Sequence, residues 1–452
     1  MSLLTRLHTH LSTAPLDEAK DLVVAYSGGV DSHVLLHALS QLKQSHGYRF
    51  TLHAIHIHHG LSKNADQWQK HCQQTCKALG VTFQTAKVAV TVKARQSLEA
   101  QARDARYQKL VELAPNKSYV LLAQHQDDQL ETFLLQLKRG AGPKGLSAMN
   151  QKWTVNAGNT DKKQVHFYRP LLDVSQEAVN EYATQAKLNW CEDESNQDTQ
   201  FDRNFLRQDV VPNLIQRWPE LAKSVSRSAS LCAQQQDMLD EISAEKLVDI
   251  QTAENSLSIS ELSKLTEKWL HQVVRYWLLQ QSISSPPLAV LNKLLPQVLL
   301  AADDATPILQ WQDWQFRRFN QNLYVIPVPK ELPEFTKVWQ GEAMMPLPES
   351  LGHLCFSEHK SNSNKEALVI NPDFGPLTVR LGGYSAKFKP SGSPHSKPIK
   401  QWFKQWKVPP WERDRTLILM QNERVIGLMN EYNYYYAEVK QSTKCTYISL
   451  YS

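Results

Sequence analysis

The residues Ser27-Gly28-Gly29-Val30-Asp31-Ser32 join an apolar run, Leu22 to Ala25, directly to a set with helical spacing, Val34, Leu35, Ala38 and Leu39. Two glycines and small side chains leave room only for a tight strand-to-helix turn. Such a turn gathers free backbone N–H groups and the positive end of a helix dipole at one point, which makes an anion site. A phosphate is the expected guest, and the simpler alternative is an ordinary turn with Asp31 or Ser32 capping the helix. The chain has no Gly-x-x-x-x-Gly-Lys-Ser/Thr motif, so the lysine that grips phosphates in that loop is missing. A carboxylate, Asp31, stands in the turn instead. It makes chemical sense there when Mg²⁺ joins it to the phosphates.

A histidine and three acids follow the apolar stretch that ends at Ala123: His125, Asp127, Asp128 and Glu131. Asp127 and Glu131 are four residues apart and share one face of the expected helix. In a first turn such acids are often only dipole partners. Beside a phosphate turn they are candidates for Mg²⁺ (Asp31 with Asp127) or for proton transfer (Asp127 and Glu131). The helix should close at Arg139-Gly140, with Lys138 and the glycine-rich loop carrying Lys144 suited to a polyanion. Arg103 and Arg106 stand three apart on a further helix. Glu99 can pair with Arg103, whereas Arg106 is expected to face the cleft. Arg203 and Arg207, four apart in "FDRNFLR", flank Asn204 and can reach a nucleotide or an RNA backbone. His56, His58 and His59 lack a further ligand at zinc spacing. Cys72 and Cys76, one helical turn apart, read as small buried residues.

These residues need a scaffold that brings distant segments together. Up to about residue 214, strand-like runs ("DLVVAYS", "RFTLHAIHIH", "VTFQTAKV", "SYVLLAQ") alternate with helical stretches such as Asn64 to Leu79 and Gln96 to Leu113. That order implies an α/β fold, a doubly wound and mostly parallel sheet whose ligands sit beyond the carboxyl ends of the strands. Residues 215–330 read as a helical, substrate-binding domain, 331–370 as a proline-marked linker or irregular connection, and 371–452 as a small basic α+β domain. In that last part a helix is expected at 396–406 and a hairpin turn at Gln421–Glu423.

The 452 residues are 42% hydrophobic and 21% charged, ordinary for a globular protein. Six scattered cysteines without a Cys-x-x-Cys, and no apolar run long enough for a membrane, lead us to expect a cytoplasmic protein. Net charge is +5, yet residues 371–452 alone hold twelve basic against six acidic residues. Interleaved with Trp402, Trp406, Trp411 and Tyr434 to Tyr436, they suit a nucleic-acid surface, although most of those rings should form the core of their own domain.

"SGGVDS" resembles the pyrophosphate loop of the N-type ATP pyrophosphatases. Together with "AIHIHHGLS", "EAQARDARY", "HQDDQLETFLLQLKRGAGPKGLSAM", "RPLLDVSQEAVNEYA", "WCEDESNQDTQFDRNFLR" and "KPIKQWFKQWKVPPWERDR", it resembles the tRNA(Ile)-lysidine synthetase family within that superfamily. The likeness spans the chain and is weakest at 215–370. Gln124 departs from the pattern, which has a small or aromatic-type residue before His125 and often a second histidine in the motif. The resemblance implies that the wobble cytidine of isoleucine tRNA with a CAU anticodon attacks the α-phosphate of ATP through its C2 oxygen. Free L-lysine then displaces AMP at C2. It implies ATP bound by Ser27, Gly28, Gly29, Val30, Asp31 and Ser32, and catalysis by Asp31, Arg106, Asp127 and Glu131. Contacts to tRNA would come from Lys138, Arg139, Lys144, Arg203, Arg207 and the basic tail. A tRNA thiolase or a non-catalytic RNA-binding protein are the competing readings. The oligomeric state stays open between monomer and homodimer.

Overall fold

The computed structural model describes residues 2–13, 16, 18–58, 64–88, 98–157, 163–192, 197–252, 255–302, 305–348, 351–358, 367–371, 375–437 and 446–451. His59, Cys445 and the side chain of Glu99 lie outside them. The chain divides into two compact units, Met1–Glu241 and Ile242–Ser452.

In the first unit, α1 (Leu3–Leu11), β1 (Asp21–Ala25), α2 (Val30–His46), β2 (Thr51–His58), α3 (Ala65–Leu79), β3 (Thr82–Lys87), α4 (Leu98–Leu113) and β4 (Tyr119–Leu121) follow one another. Next come α5 (Gln126–Lys138), α6 (Pro143–Leu146), β5 (Lys152–Ala157), β6 (Lys163–Tyr168) and α7 (Gln176–Gln185). The six strands form one sheet in the order β3-β2-β1-β4-β6-β5, parallel except for β5. This is the expected doubly wound sheet. The hairpin β5/β6 adds an edge that the strand reading did not include.

β1 is apolar on both faces because both are covered. Leu22 and Val24 pack with Leu35, Leu39 and Leu171 on one side, and Val23 packs with Ile55, Leu110 and Phe167 on the other. From β1 the chain winds outward through β2 and β3, and from β4 it winds the opposite way to β6. The loops leaving the carboxyl ends of β1 and β4 therefore diverge around a crevice, the position where such sheets bind ligands. Those two loops are Tyr26–Gly29 and Leu122–His125.

A helical segment closes the unit. It comprises α8 (Asp202–Phe205), a π-helical turn at Leu206–Val210, α9 (Val211–Arg217) and the start of α10 (Leu221–Ile250). Val211 and Ala222 seat it on Leu130 of α5.

In the second unit, helices Glu267–Gln280 and Leu288–Leu294 pack on a four-stranded sheet of β7 (Leu257–Ser258), β8 (Ile308–Trp311), β9 (Trp314–Phe319) and β10 (Asn322–Pro327). Their shared core holds Trp277 and Phe316. Beyond it lie β11 (Thr336–Val338), β12 (Met344–Pro346), β13 (His353–Ser357), β14 (Leu368–Ile370), β15 (Leu377–Leu381), the short pair β16 (Lys387–Phe388) and β17 (Lys397–Pro398), and β18 (Leu417–Gln421). β19 (Arg424–Met429), β20 (Tyr434–Tyr436) and β21 (Thr446–Tyr451) complete the chain. Residues 331–370, expected as a linker, instead contribute β11 to one sheet and β12, β13 and β14 to another, where β13 and β14 both pair with β21. The prolines that suggested irregularity are compatible with this: Pro346 ends β12, an edge strand, where a missing N–H costs no ladder bond. A helix runs from Ile399 to Gln405 inside the expected span, and Trp402 and Phe403 are buried from it. The hairpin β18/β19 turns through Asn422 (φ 46°) and Glu423 (φ 62°), the two positive φ values of a tight hairpin.

Candidate functional site

The turn after β1 is held open from behind. Gly28 has φ +93°, and a Cβ there would stand 2.9 Å from Cys72 Sγ, so any side chain at this position is strained. Its carbonyl accepts the Cys191 N–H at 2.9 Å. Ser32 Oγ accepts the Ser27 N–H (3.2 Å), meets Ser27 Oγ (3.0 Å) and donates to Gly29 O (3.1 Å). These hydroxyls are spent on the turn's own shape. α2 starts from Gly29 without a side-chain cap, so neither Asp31 nor Ser32 caps it, and its first-turn N–H groups keep the positive pole of the dipole.

Asp31 and Asp127 meet through one residue. Gln176, at the start of α7, donates from Nε2 to Asp31 Oδ1 (2.9 Å) and from its backbone N–H to Asp127 Oδ2 (2.7 Å). His125 lies beside them, 1% exposed, as the N-cap of α5. It accepts the Asp128 N–H at Nδ1 (3.4 Å), and its own N–H donates to Asp128 Oδ2 (3.0 Å). Its buried Nε2 lies 3.2 Å from Asp128 Oδ2 and 3.9 Å from Asp31 Oδ2, with no aligned hydrogen bond among the described residues. Burial pushes the Asp31 carboxyl above its ordinary pKa, against the pull of His125 and Gln176.

Among the described residues no group of three or more His, Cys, Asp or Glu side chains could cage a metal. Mg²⁺ does not need a cage, because one or two carboxylates plus substrate phosphates and water complete its octahedron. Asp31 and Asp127 fit that demand.

Asp128 and Glu131 of α5 anchor an ion cluster beside this group. Glu131, almost wholly buried, takes Arg203 Nε on Oε2 (2.7 Å) and Arg207 Nε on Oε1 (2.6 Å). Arg203 Nη2 and Arg207 Nη2 both reach Asp128 Oδ1, at 2.8 and 3.0 Å. Burial pushes the Asp128 carboxyl up, but His125 and Arg203 outweigh it and hold it below the ordinary value. Burial pulls both guanidiniums down; Asp128 and Glu131 more than reverse this for Arg203, and Glu131 foremost for Arg207. The two acids and two arginines make a charge-balanced quartet of forked hydrogen bonds.

Unbalanced positive charge sits next to it. Burial lowers the Arg106 pKa, and the charges of Arg103 and Arg203 push the same way. Arg169, also buried, donates from Nε to Gln124 Oε1 (3.0 Å) and from Nη1 to Asn150 O, and its guanidinium lies 4.4 Å from the Trp153 ring centroid. Among the described residues neither arginine has a carboxylate within ion-pairing distance. Lys138, Arg139 and Lys144 are exposed at the end of α5 and in α6, with Lys138 Nζ on Asp202 at 2.7 Å.

The structure thus gathers Asp31, Asp127, Glu131, Arg106, Arg203 and Arg207 around the crevice from four separate segments. His125, Asp128, Gln176 and Arg169 join them without having been singled out for roles. Asp128 was legible as the i, i+3 partner of Glu131. Gln176 carries no local signal, since its role exists only once α7 packs beside the turn.

A PP-loop domain model matches residues 3–214, a TilS substrate binding domain model matches 257–324, and a TilS substrate C-terminal domain model matches 377–430. The tRNA(Ile)-lysidine synthase of Vibrio cholerae serotype O1 (strain O395) is 40% identical over 407 residues, covering 90% of each chain. That of Edwardsiella ictaluri is 41% identical over 409 residues, again covering 90% of each. Among solved structures, a U34-tRNA thiolase NcsA from Methanococcus maripaludis aligns with TM-score 0.42 at 15% identity, over 51% of this chain and 78% of that one. A TILS C-terminal domain aligns with TM-score 0.20 at 21% identity, over 26% of this chain and 96% of that one.

Proposed function

The chain belongs to the tRNA(Ile)-lysidine synthase family, and from that membership we infer its reaction, the ATP-dependent formation of lysidine on tRNA(Ile). It is a ligase forming a carbon–nitrogen bond. The C2 oxygen of the wobble cytidine attacks the α-phosphate of ATP and pyrophosphate departs. The ε-amine of free lysine then attacks C2, and AMP leaves with the oxygen.

The observation that carries the assignment of parts is Gln176, which ties Asp31 of the phosphate turn to Asp127 of α5. The departing pyrophosphate belongs at the uncapped start of α2, against the Ser27–Ser32 backbone. Asp31 and Asp127 would hold Mg²⁺, which neutralises the charge that develops on the leaving group. Arg106 and Arg169, which have no carboxylate partner among the described residues, would face the α-phosphate and stabilise its charge in the transition state. Lysine's amine, with an ordinary pKa near ~10.4, must shed a proton before attacking. Asp127 would take that proton once pyrophosphate and Mg²⁺ have left, because both oxygens of Glu131 are already taken by arginines. Glu131 therefore positions Arg203 and Arg207. Contacts to the tRNA backbone fall to Arg139, Lys144 and the basic residues of 371–452, with Lys138 sharing its charge with Asp202.

Incubating the protein with ATP, isotope-labelled lysine and unmodified tRNA(Ile) bearing CAU, then analysing nucleosides by mass spectrometry, tests the reading. Labelled lysidine is the expected product. Incorporation of sulfur, or pyrophosphate release without a nucleoside change, would overturn it.

A further inference from the structure

Every aromatic side chain that is strongly exposed among the described residues of the first unit lies between positions 190 and 218: Trp190, Phe201, Phe205 and Trp218. Single exposed rings are ordinary, but a concentration in the segment that also supplies Arg203 and Arg207 is not. Two of them make a pair. The Phe205 N–H donates to Phe201 O at 3.0 Å, so the rings stand one helical turn apart, 47% (Phe201) and 46% (Phe205) exposed. Within α8, Arg203 is two positions from Phe205, about 200° around the helix, which puts it on the opposite face. That face is committed to Asp128 and Glu131. Phe205 therefore looks away from those acids into solvent.

Charge says what such a face meets. Lys138 of α5 reaches Asp202, the residue after Phe201, which brings the end of α5, with exposed Leu137 and Arg139, close to the start of the helix that carries Phe205. Arg139 and Lys144 have no carboxylate partner among the described residues. Flat apolar rings edged by unpaired cations suit unpaired nucleobases, whose faces stack while their phosphates meet the charge. The proposed reaction supplies that need. Chemistry at C2 requires the cytidine to leave its stack, which strips its neighbours of a stacking partner.

We propose that Phe201 and Phe205 form a stacking surface for the unpaired anticodon-loop bases beside the wobble cytidine. The proposal rests on the lysidine-forming reading above. The rings are positioning groups: they hold the loop so that the cytidine reaches the crevice, and they take no part in adenylation itself.

The test uses full-length protein with tRNA carrying 2-aminopurine in place of the adenosine that follows the wobble cytidine. Wild-type binding should change its fluorescence. Phe201→Ala and Phe205→Ala should abolish that change and raise KM for tRNA about tenfold each, with kcat within about twofold and ATP affinity unaltered. Phe201→Trp and Phe205→Trp should keep the fluorescence change and the low KM. Alanine variants with wild-type fluorescence and KM would overturn the proposal. So would variants that convert a dimer to a monomer at unchanged KM, which would make this face a subunit contact. If wild-type protein forms no lysidine on unsubstituted tRNA, the failure lies in the reaction assigned and not in the stacking surface.

Discussion

Arg203 Nε stands 2.7 Å from Oε2 of Glu131, a bond between residues 72 positions apart that locks the helical segment after the sheet onto the helix that follows β4. Arg207 secures the other carboxylate oxygen, so Glu131 acts through the arginines it holds. A buried charge pair is costly to break from one side, by about 3 kcal/mol, because the remaining charges lose their compensation. Glu131→Gln should lower the melting temperature by several degrees and depress pyrophosphate release and lysine transfer together. Separate assays of the two half-reactions check this. Normal pyrophosphate release with accumulated adenylated tRNA would instead give Glu131 the lysine amine.

Asp31→Ala should abolish adenylation and leave tRNA affinity within about twofold. Its carboxylate belongs to the phosphate turn, whereas tRNA binding rests on many dispersed cations. The measurement is AMP formation beside a tRNA binding isotherm. Persistent AMP formation would remove Asp31 from the phosphate site.

The sheet and both of its functional loops were legible because β1 and β4 are continuous apolar runs ending in small or charged residues. The sequence alone therefore places Asp31, Asp127 and Glu131 just beyond strand ends. The hairpin β5/β6 escaped, although "KQVHFY" buries alternate residues, Val165 and Phe167, in the period-two pattern of a strand. Spacing four apart drew attention to Asp127 with Glu131, while the cluster with Arg203 and Arg207 uses Asp128 at spacing three. Both spacings share a helix face, and only the packing of α8 against α5 chooses between them. Arg203 and Arg207 read as free cations because their partners lie more than 70 residues away.

Gly28→Ala should weaken ATP binding at least tenfold and destabilise the protein by about 1–3 kcal/mol. A Cβ there meets Cys72 Sγ at 2.9 Å, and the backbone holds φ +93°. The same packing makes a pH prediction. Burial pushes the Cys72 and Cys76 thiols up to about 12, so at pH 8 only about one in ten thousand is thiolate. In the native protein, iodoacetamide at pH 8 should spare both, and modification should rise with pH or on unfolding. Mass-spectrometric mapping across pH reads this, and rapid native labelling of Cys72 at pH 8 would contradict the tight seat behind the turn.

The basic C-terminal region gives the last prediction. Ending the chain near residue 371 would not isolate its charge, because β13 and β14 would lose β21 and β11 would lose β15. Point substitutions keep the sheets intact. Lys400, Lys404 and Lys407 are exposed on or beside the helix Ile399–Gln405, whose buried side holds Trp402 and Phe403. Each lysine that neutralises a tRNA phosphate adds about 0.7–0.9 to the slope of log affinity against log salt. The triple change to alanine should therefore flatten that slope by about 2 and weaken tRNA binding at low salt by more than tenfold. ATP affinity should stay constant, since the turn from Ser27 to Ser32 is built entirely within Met1–Glu241. Titrations with tRNA and with ATP across a salt series measure both. An unchanged tRNA slope would move the electrostatic contacts to Arg139 and Lys144, whose own alanine substitutions would then have to flatten it.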